Sequence, residues 1–226
     1  LVAMTAVAFS CQREGQIGVI AKSTFAVSFE EGGIVDDLGL SADDHIAVSG
    51  AEAPLKLRNG YASGKVMQSE EYYAVYPASA LEYFAPGDQS GIALNLPTVQ
   101  TAVIGSIPAG TAVSVTSTSS ADMSLKFKSV ISYLKLTVTP EAGKVTAISI
   151  ISYDGVRISG EFYIDCNDTG KSVYPLANSA SNVVLKPKGE YFEPGDYYIA
   201  VLPNVFDEGF YVVVENESGR FNLSRR

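Results

Sequence analysis

Three stretches of this sequence contain residue types that could support catalysis or metal binding, and none has the full pattern. Asp168-Thr-Gly170 matches the aspartic-protease triplet, but that chemistry needs a second carboxylate to share a proton. The segment that begins at Asp165 is similar to a calcium loop, but Leu176 stands where the closing glutamate belongs. His45 is the only histidine, which excludes a His-based metal site. We therefore expect no enzyme activity, cofactor or metal, and we interpret the Asp165 segment as a turn.

A stronger chemical signal is the cysteine that follows an apolar segment. Residues 1–10, LVAMTAVAFS, carry no charge and are too few to span a bilayer as a helix, which takes about 20. They match the second half of a secretory signal peptide, and Ala8-Phe9-Ser10-Cys11 is similar to a bacterial lipobox. The hypothesis is that Cys11 is the lipid-attachment site of an exported protein. An ordinary signal peptide with a cysteine near its cleavage point is the alternative.

The second cysteine is predicted to be a buried thiol. The chain has two cysteines, so lipid on Cys11 would leave Cys166 without an intramolecular partner. In Phe162-Tyr-Ile-Asp-Cys166, strand alternation places Phe162, Ile164 and Cys166 on one face. We therefore expect Cys166 to be buried and reduced.

The elements that must position these residues are predicted to be strands. Hydrophobic residues make up 46% of the 226 residues and charged residues 18%, which indicates a folded chain. A net charge of -9 argues against a nucleic-acid partner. Short strand patterns separated by Gly, Pro, Asn and Asp predict an all-β sandwich or barrel. The predicted strands are 24–30, 45–49, 71–76, 113–117, 125–139, 145–152, 159–164, 182–185, 197–202 and 209–215.

The polar run at residues 117–122 is the best candidate for a domain boundary. It predicts two tandem β-sandwich domains, residues 11–122 and 123–226, behind a partial lipoprotein signal peptide at residues 1–10. A hairpin loop inside one domain is the alternative interpretation. Because the sequence stops just after a glycine turn, we expect the second sandwich to lack a strand that would complete it.

Four stretches in order carry a family resemblance. They are Tyr72-Tyr-Ala-Val-Tyr-Pro77, Leu96-Pro-Thr-Val-Gln100, residues 125–138 (LKFKSVISYLKLTV), and Tyr197-Tyr-Ile-Ala-Val-Leu-Pro203 with residues 209–214 after it. Behind a lipobox, this order resembles the fimbrillin family, the FimA-like and Mfa-like pilus subunits and anchors of Bacteroidales. Ser129 stands where the third stretch often has histidine. The resemblance implies transthyretin-like sandwiches and an outer-membrane lipoprotein of the cell surface that acts in adhesion as a fimbrial subunit or anchor.

The resemblance also implies how such subunits assemble. In the family, a protease cuts after an early basic residue, and a strand from the next subunit then fills the opened groove. Partners would therefore be other fimbrial subunits, joined by β-strand addition. Lys22 is the best-placed possible processing site, since Arg13 lies too near the lipid and Arg58 too deep in the first domain. Because Lys22 is not an arginine, an anchor or tip-like role is favoured.

The rival function is that of a carbohydrate-binding surface lipoprotein. Aromatic residues in turn-rich segments could stack on sugar rings, namely Tyr61, Tyr83, Phe84, Tyr191 and Phe192. A planar row of exposed aromatics would favour sugar binding, whereas an open hydrophobic groove along a sheet would favour polymerisation. We expect the groove, in the second sandwich.

Overall fold

The computed structural model describes residues 19–31, 45–87, 89–168 and 172–225, and these form an all-β protein, as predicted. Two 3-10 turns, Ala78–Ala80 and Pro140–Ala142, interrupt the strands. The strands in chain order are β1 (Ile20–Phe29), β2 (His45–Val48), β3 (Leu55–Arg58), β4 (Tyr61–Met67), β5 (Glu71–Tyr76), β6 (Leu81–Phe84), β7 (Gly91–Leu96), β8 (Val99–Thr101), β9 (Ser114–Ser119), β10 (Ser124–Ser129), β11 (Ser132–Val138), β12 (Val145–Ser152), β13 (Gly160–Asp165), β14 (Val173–Pro175), β15 (Asn182–Lys186), β16 (Gly195–Val201), β17 (Phe210–Asn216) and β18 (Gly219–Arg225).

Seven strands close into a barrel in the order β1-β10-β9-β5-β2-β3-β4. Inward-facing residues of these strands fill it, with Phe25, Leu125 and Phe127 fully or almost fully buried. Phe29 packs edge-on against Tyr76, with ring centroids 5.0 Å apart, and stacks on Phe127 at 5.4 Å. Such pairs contribute about 0.5–1.5 kcal/mol each beyond the apolar area they bury.

Strand β5 is buried on both faces because it forms a wall between two cores. Tyr72, Ala74 and Tyr76 point into the barrel, while Tyr73 and Val75 point outward into a second core. A four-stranded sheet in the order β14-β13-β7-β6 covers that second core. The strand ends immediately before Pro77, which has no N–H for the ladder.

The other sheets form a sandwich of unequal layers. One layer has five strands in the order β18-β17-β12-β15-β8, and the other has two, β11 and β16. A third core lies between them and includes Ile150, Val183 and Ile199, none of which is exposed. Strand β16 repeats the arrangement of β5, because Tyr197 and Ile199 enter the third core while Ala200 enters the second.

The structure corrects the predicted boundary at residue 122. Residues 117–122 are not a linker, since β9 runs to Ser119 and a tight turn leads directly into β10, as in the hairpin alternative. Strand pairing also crosses the division between 11–122 and 123–226, because β1 pairs with β10, β7 with β13 and β8 with β15. Residues 1–10 lie outside the described residues.

The predicted strand at 125–139 is two strands in different sheets. β10 ends at Ser129 and β11 begins at Ser132, so the chain leaves the barrel and enters the two-stranded layer between them. Val130 and Ile131, at the crossing point, are buried in the second core. Their apolar side chains made the whole stretch look continuous in the sequence.

Candidate functional site

An apolar surface of the five-stranded sheet becomes steadily more exposed toward β18. One register row runs Leu185–Ile148–Val214–Phe221, and the next runs Val183–Ile150–Val212–Leu223. The β15 and β12 members are buried, the β17 members half-buried, and Phe221 and Leu223 are 49% and 59% exposed. Since directly paired residues share a face, the core side of this sheet continues past the layer that covers it.

The two-stranded layer is too narrow to cover the whole five-stranded sheet. β16 lies toward the β8 end, where Gly105 N–H donates to Asp196 C=O at 2.8 Å. β11 therefore lies toward β12 and β17, with Leu134 and Leu136 half-buried against the third core. No described strand pairs with the other side of β11. We call this free edge of β11, together with the exposed rows of β17 and β18, the β11–β18 groove.

The opposite edge of the two-stranded layer is closed by a side chain. Gln100 is buried, and its amide bonds the backbone of Ala200 in both directions, since Nε2 donates to Ala200 C=O at 2.8 Å and Oε1 accepts from Ala200 N–H at 2.9 Å. A side-chain amide thus takes the place of a neighbouring strand. This leaves β11 as the open edge of the layer.

A polar cluster holds β11 to β16 on the solvent side. Lys135 Nζ lies 2.8 Å from an Asp196 carboxylate oxygen, and Thr137 Oγ1 donates to the other oxygen at 2.7 Å. Hydrogen bonds from Lys135 and then Thr137 hold the pKa of the Asp196 carboxyl below its usual range, and the bond to Asp196 raises the pKa of Lys135. These exposed bonds join neighbouring positions of the two paired strands.

Lys22, the candidate processing residue, lies inside β1. Its side chain is exposed and stands opposite Lys65 of β4. Val27 N–H donates to Gly60 C=O of the β3–β4 turn at 2.7 Å. Backbone groups alternate in direction along a strand, so the N–H and C=O of Lys22 point away from β4. On that side, no described strand pairs with residues 20–25. Cleavage after Lys22 would remove the start of β1 and leave Phe25 in the barrel core.

The other residues singled out in the sequence lie in different parts of the molecule. Cys11 and Arg13 lie outside the described residues. Cys166 is buried in the second core, as predicted. Arg58 is exposed at the end of β3, and His45 is half-buried at the start of β2. Asp168 N–H donates to Asp165 C=O at 3.1 Å, so Asp165–Asp168 forms the expected turn.

The five aromatics proposed for sugar stacking do not form one surface. Phe192 is buried in the third core and Phe84 packs against the second, so the stacking role predicted for these two is wrong. Tyr61 lies on the barrel, and one face of Tyr191 is occupied by Lys144 Nζ, 5.3 Å from the ring centroid. Tyr83 is exposed on the four-stranded sheet.

Tyr83 belongs to a row of tyrosines that the sequence did not reveal. Direct register partners run Tyr174–Tyr163–Ala93–Tyr83 across β14, β13, β7 and β6. The neighbouring residues of β13 and β7, Phe162 and Ile92, point into the second core, so the row lies on the outer face. We call this row the tyrosine row. Only the strand register could have identified it.

Two properties of the described residues bear on the expected chemistry. They contain no group of three or more His, Cys, Asp or Glu side chains placed to hold a metal ion. Across the same part of the chain, no helix is long and apolar enough to cross a bilayer.

Comparison with known proteins gives a likeness in fold. No protein-family model and no curated protein matches the chain. A solved structure from Bacteroides ovatus, described as that of a candidate cell adhesion protein, matches with a TM-score of 0.54 at 13% identity, over 89% of this chain and 84% of that one. A second, of a candidate adhesin from Bacteroides ovatus, has a TM-score of 0.42 at 10% identity, over 90% and 83%. The first likeness shows that the two chains share their fold.

Proposed function

We propose that this chain is a structural, adhesive lipoprotein of the cell surface, a fimbrial subunit or anchor that assembles by β-strand addition. The observation that carries the proposal is the β11–β18 groove. Its floor has the apolar side chains of a sandwich interior, and its wall is a strand edge without a described partner on one side. A free edge beside uncovered apolar side chains favours pairing with another chain.

The occupant that fits this groove is an extended strand with alternating apolar side chains. Its backbone would pair with β11, and its inward side chains would cover Val212, Val214 and Leu223 in place of water. Main-chain hydrogen bonds would supply affinity and the inward pockets specificity. A strand from a neighbouring subunit has this chemistry, which is why fimbrial assembly is proposed rather than a soluble-ligand site.

The location and class of the protein rest on two further supports. The segment that ends at Cys11 matches a lipoprotein signal, and a diacylglyceryl group would provide the two acyl chains that stable anchoring needs. The shared fold with a candidate cell adhesion protein of Bacteroides ovatus is consistent with a role in adhesion. We propose no catalytic activity and no nucleic-acid partner.

Self-association of the purified chain tests the proposal. Sedimentation velocity over a concentration series should show dimers or larger species, and the double variant Phe221→Glu/Leu223→Glu should be monomeric because charges in the groove oppose strand insertion. Val99→Glu is the matched control, since Val99 is 59% exposed at the opposite edge of the same sheet. A chain that remains monomeric at every concentration, or a double variant that associates like the wild type, would refute assembly through this groove.

A further inference from the structure

The outer face of the four-stranded sheet β14-β13-β7-β6 has a composition unlike that of the groove. By register, its outward positions include the tyrosine row, Gly91, Asn95, Glu161 and Asp165. Tyr83 and Tyr174 are each 53% exposed. The outward positions of these strands hold no Leu, Ile, Val, Met, Lys or Arg among the described residues. At the outward positions of the described strands, the face therefore combines aromatic rings with carboxylates and carries no basic side chain.

The shape of the face comes from small residues between the rings. Ala93 is the register partner of both Tyr163 and Tyr83, and it separates them by two strand spacings, about 10 Å. Tyr163 leans diagonally across Gly91, so closely that a Cβ on Gly91 would collide with the Tyr163 hydroxyl. The Tyr163 ring consequently lies down on β7 instead of standing out from the sheet. The surface is low in the middle, with an exposed ring at each end.

Polar groups flank the row on both sides. Asp165 is the partner of Gly91 on one side, and Glu161 is the partner of Asn95 on the other. Asn178 Nδ2 donates to Glu161 Oε1 at 3.0 Å, and Asn167 N–H donates to Asp165 Oδ1 at 2.8 Å. Each carboxylate is thereby held in place while it keeps capacity to accept further hydrogen bonds. Exposed Glu82, at the bulge of β6, adds negative charge.

We propose that the tyrosine row is a binding site for a neutral oligosaccharide. The C–H faces of pyranose rings stack on Tyr83, Tyr163 and Tyr174, and their hydroxyl groups donate to the flanking carboxylates. From Tyr174 to Tyr83 the row crosses three strand spacings, roughly 14 Å, which suits a short chain of sugars rather than a single ring. The carboxylates, and the lack of basic residues at the described outward positions, disfavour acidic glycans. They also disfavour a protein partner, because interface cores are depleted in Asp and Glu.

Direct titration with defined sugars tests this site. The probes are maltohexaose, cellohexaose and N-acetylchitohexaose, with a hyaluronan oligosaccharide as the acidic comparison. Heat of binding is measured by calorimetry, and tyrosine emission is followed in parallel, since the chain has no tryptophan. Wild-type protein should bind at least one neutral probe and not the acidic one.

Five variants separate stacking from general surface effects. Tyr83→Ala and Tyr174→Ala should each weaken binding about 3- to 10-fold through loss of one ring, and the double variant by about 10-fold or more. Gly91→Ala keeps every tyrosine but displaces the Tyr163 ring, and it should weaken binding as well. Tyr61→Ala removes an equally exposed tyrosine, 57% exposed on the barrel, and should change affinity by less than about twofold.

Several results would overturn the proposal. The proposal is wrong if no neutral probe binds the wild type at millimolar concentration, or if the wild type prefers the hyaluronan oligosaccharide. It is also wrong if the Tyr83→Ala/Tyr174→Ala protein binds sugars like the wild type. Equal loss of affinity in Tyr61→Ala would mean that the sugars adhere to tyrosines in general. Because the groove is not part of this site, none of these results bears on strand addition.

Discussion

Among the buried polar contacts made to the two-stranded layer, the contact of Gln100 with Ala200 should contribute most to the stability of the sandwich. Gln100→Met keeps the length and apolar contacts of the side chain but removes the two hydrogen bonds to Ala200, at 2.8 and 2.9 Å. Ala200 is fully buried, so water cannot replace them. Each unsatisfied backbone group costs about 1–3 kcal/mol, and the two together should lower the free energy of unfolding by about 2–6 kcal/mol.

Urea and thermal unfolding followed by circular dichroism measure this loss. For a chain of this size, about 2 kcal/mol lowers Tm by at least about 4 °C. Gln89→Met is the matched control, because Gln89 is exposed and the same substitution there should stay within about 0.5 kcal/mol. A Gln100→Met protein as stable as Gln89→Met would refute the idea that this amide substitutes for a strand.

A second substitution at the same position separates hydrogen bonding from packing. In Gln100→Glu, an ionised carboxylate accepts from Ala200 N–H but also faces Ala200 C=O, so the protein should be strongly destabilised at pH 7. The introduced carboxyl is buried, which raises its pKa, and once protonated it donates to the carbonyl. Part of the stability should therefore return as the pH falls toward 5. Gln100→Met should show no such recovery.

Three further predictions concern single residues. Cys11→Ala should release the protein from the membrane fraction or leave it unprocessed, while the control Cys166→Ala remains bound. A processed Cys11→Ala protein that still fractionates with membranes would contradict a lipid anchor. Cys166→Ala should lower the free energy of unfolding by about 1 kcal/mol, and reductant should leave the wild-type Tm unchanged. Burial raises the pKa of Tyr133 above its usual value of 10.0, and its hydroxyl donates to Thr111 C=O at 2.9 Å. The unfolded chain therefore loses this proton first, so the stability that Tyr133 contributes is present below about pH 10 and lost above it. Tyr133→Phe should be less stable at pH 7 and fall less steeply in alkali, and parallel pH profiles would contradict this.

Local patterns predicted the strands that are bounded by clear turns. β5 and β12 have the bounds expected from the sequence, because alternating or continuous apolar residues end there at Pro, Gly or Asp. β3, β4, β6, β7, β8, β14 and β18 were not predicted. β4, with the sequence YASGKVM, is mostly small and polar, and it is held by pairing with β1 rather than by its own propensity. Such pairing is a tertiary effect that a single strand does not encode.

For the candidate sites as well, the sequence predicted local features and missed those that depend on strand pairing. The sequence predicted a missing last strand in the second sandwich, but residues 219–225 form β18. The residues of the groove are instead defined by rows that cross β15, β12, β17 and β18. Tyr83 was singled out without Tyr163 and Tyr174, which lie about 80 to 90 positions away in the chain. Pairing of β7 with β13 brings them together. Long-range register is the information that the local pattern lacks.

The groove and the tyrosine row lie on different sheets, so a single molecule can use both at once. The groove belongs to the β18-β17-β12-β15-β8 sheet and its partner strand β11, whereas the row crosses β14-β13-β7-β6. Phe221→Glu/Leu223→Glu should therefore abolish self-association and leave the affinity for a neutral oligosaccharide within about twofold, because sites without shared contacts behave additively. Tyr83→Ala/Tyr174→Ala should do the reverse. Calorimetry and sedimentation on the same four samples, including wild type and Tyr61→Ala, measure both properties. Loss of both functions in either double variant would mean that the two surfaces are coupled, and that sugar binding depends on assembly.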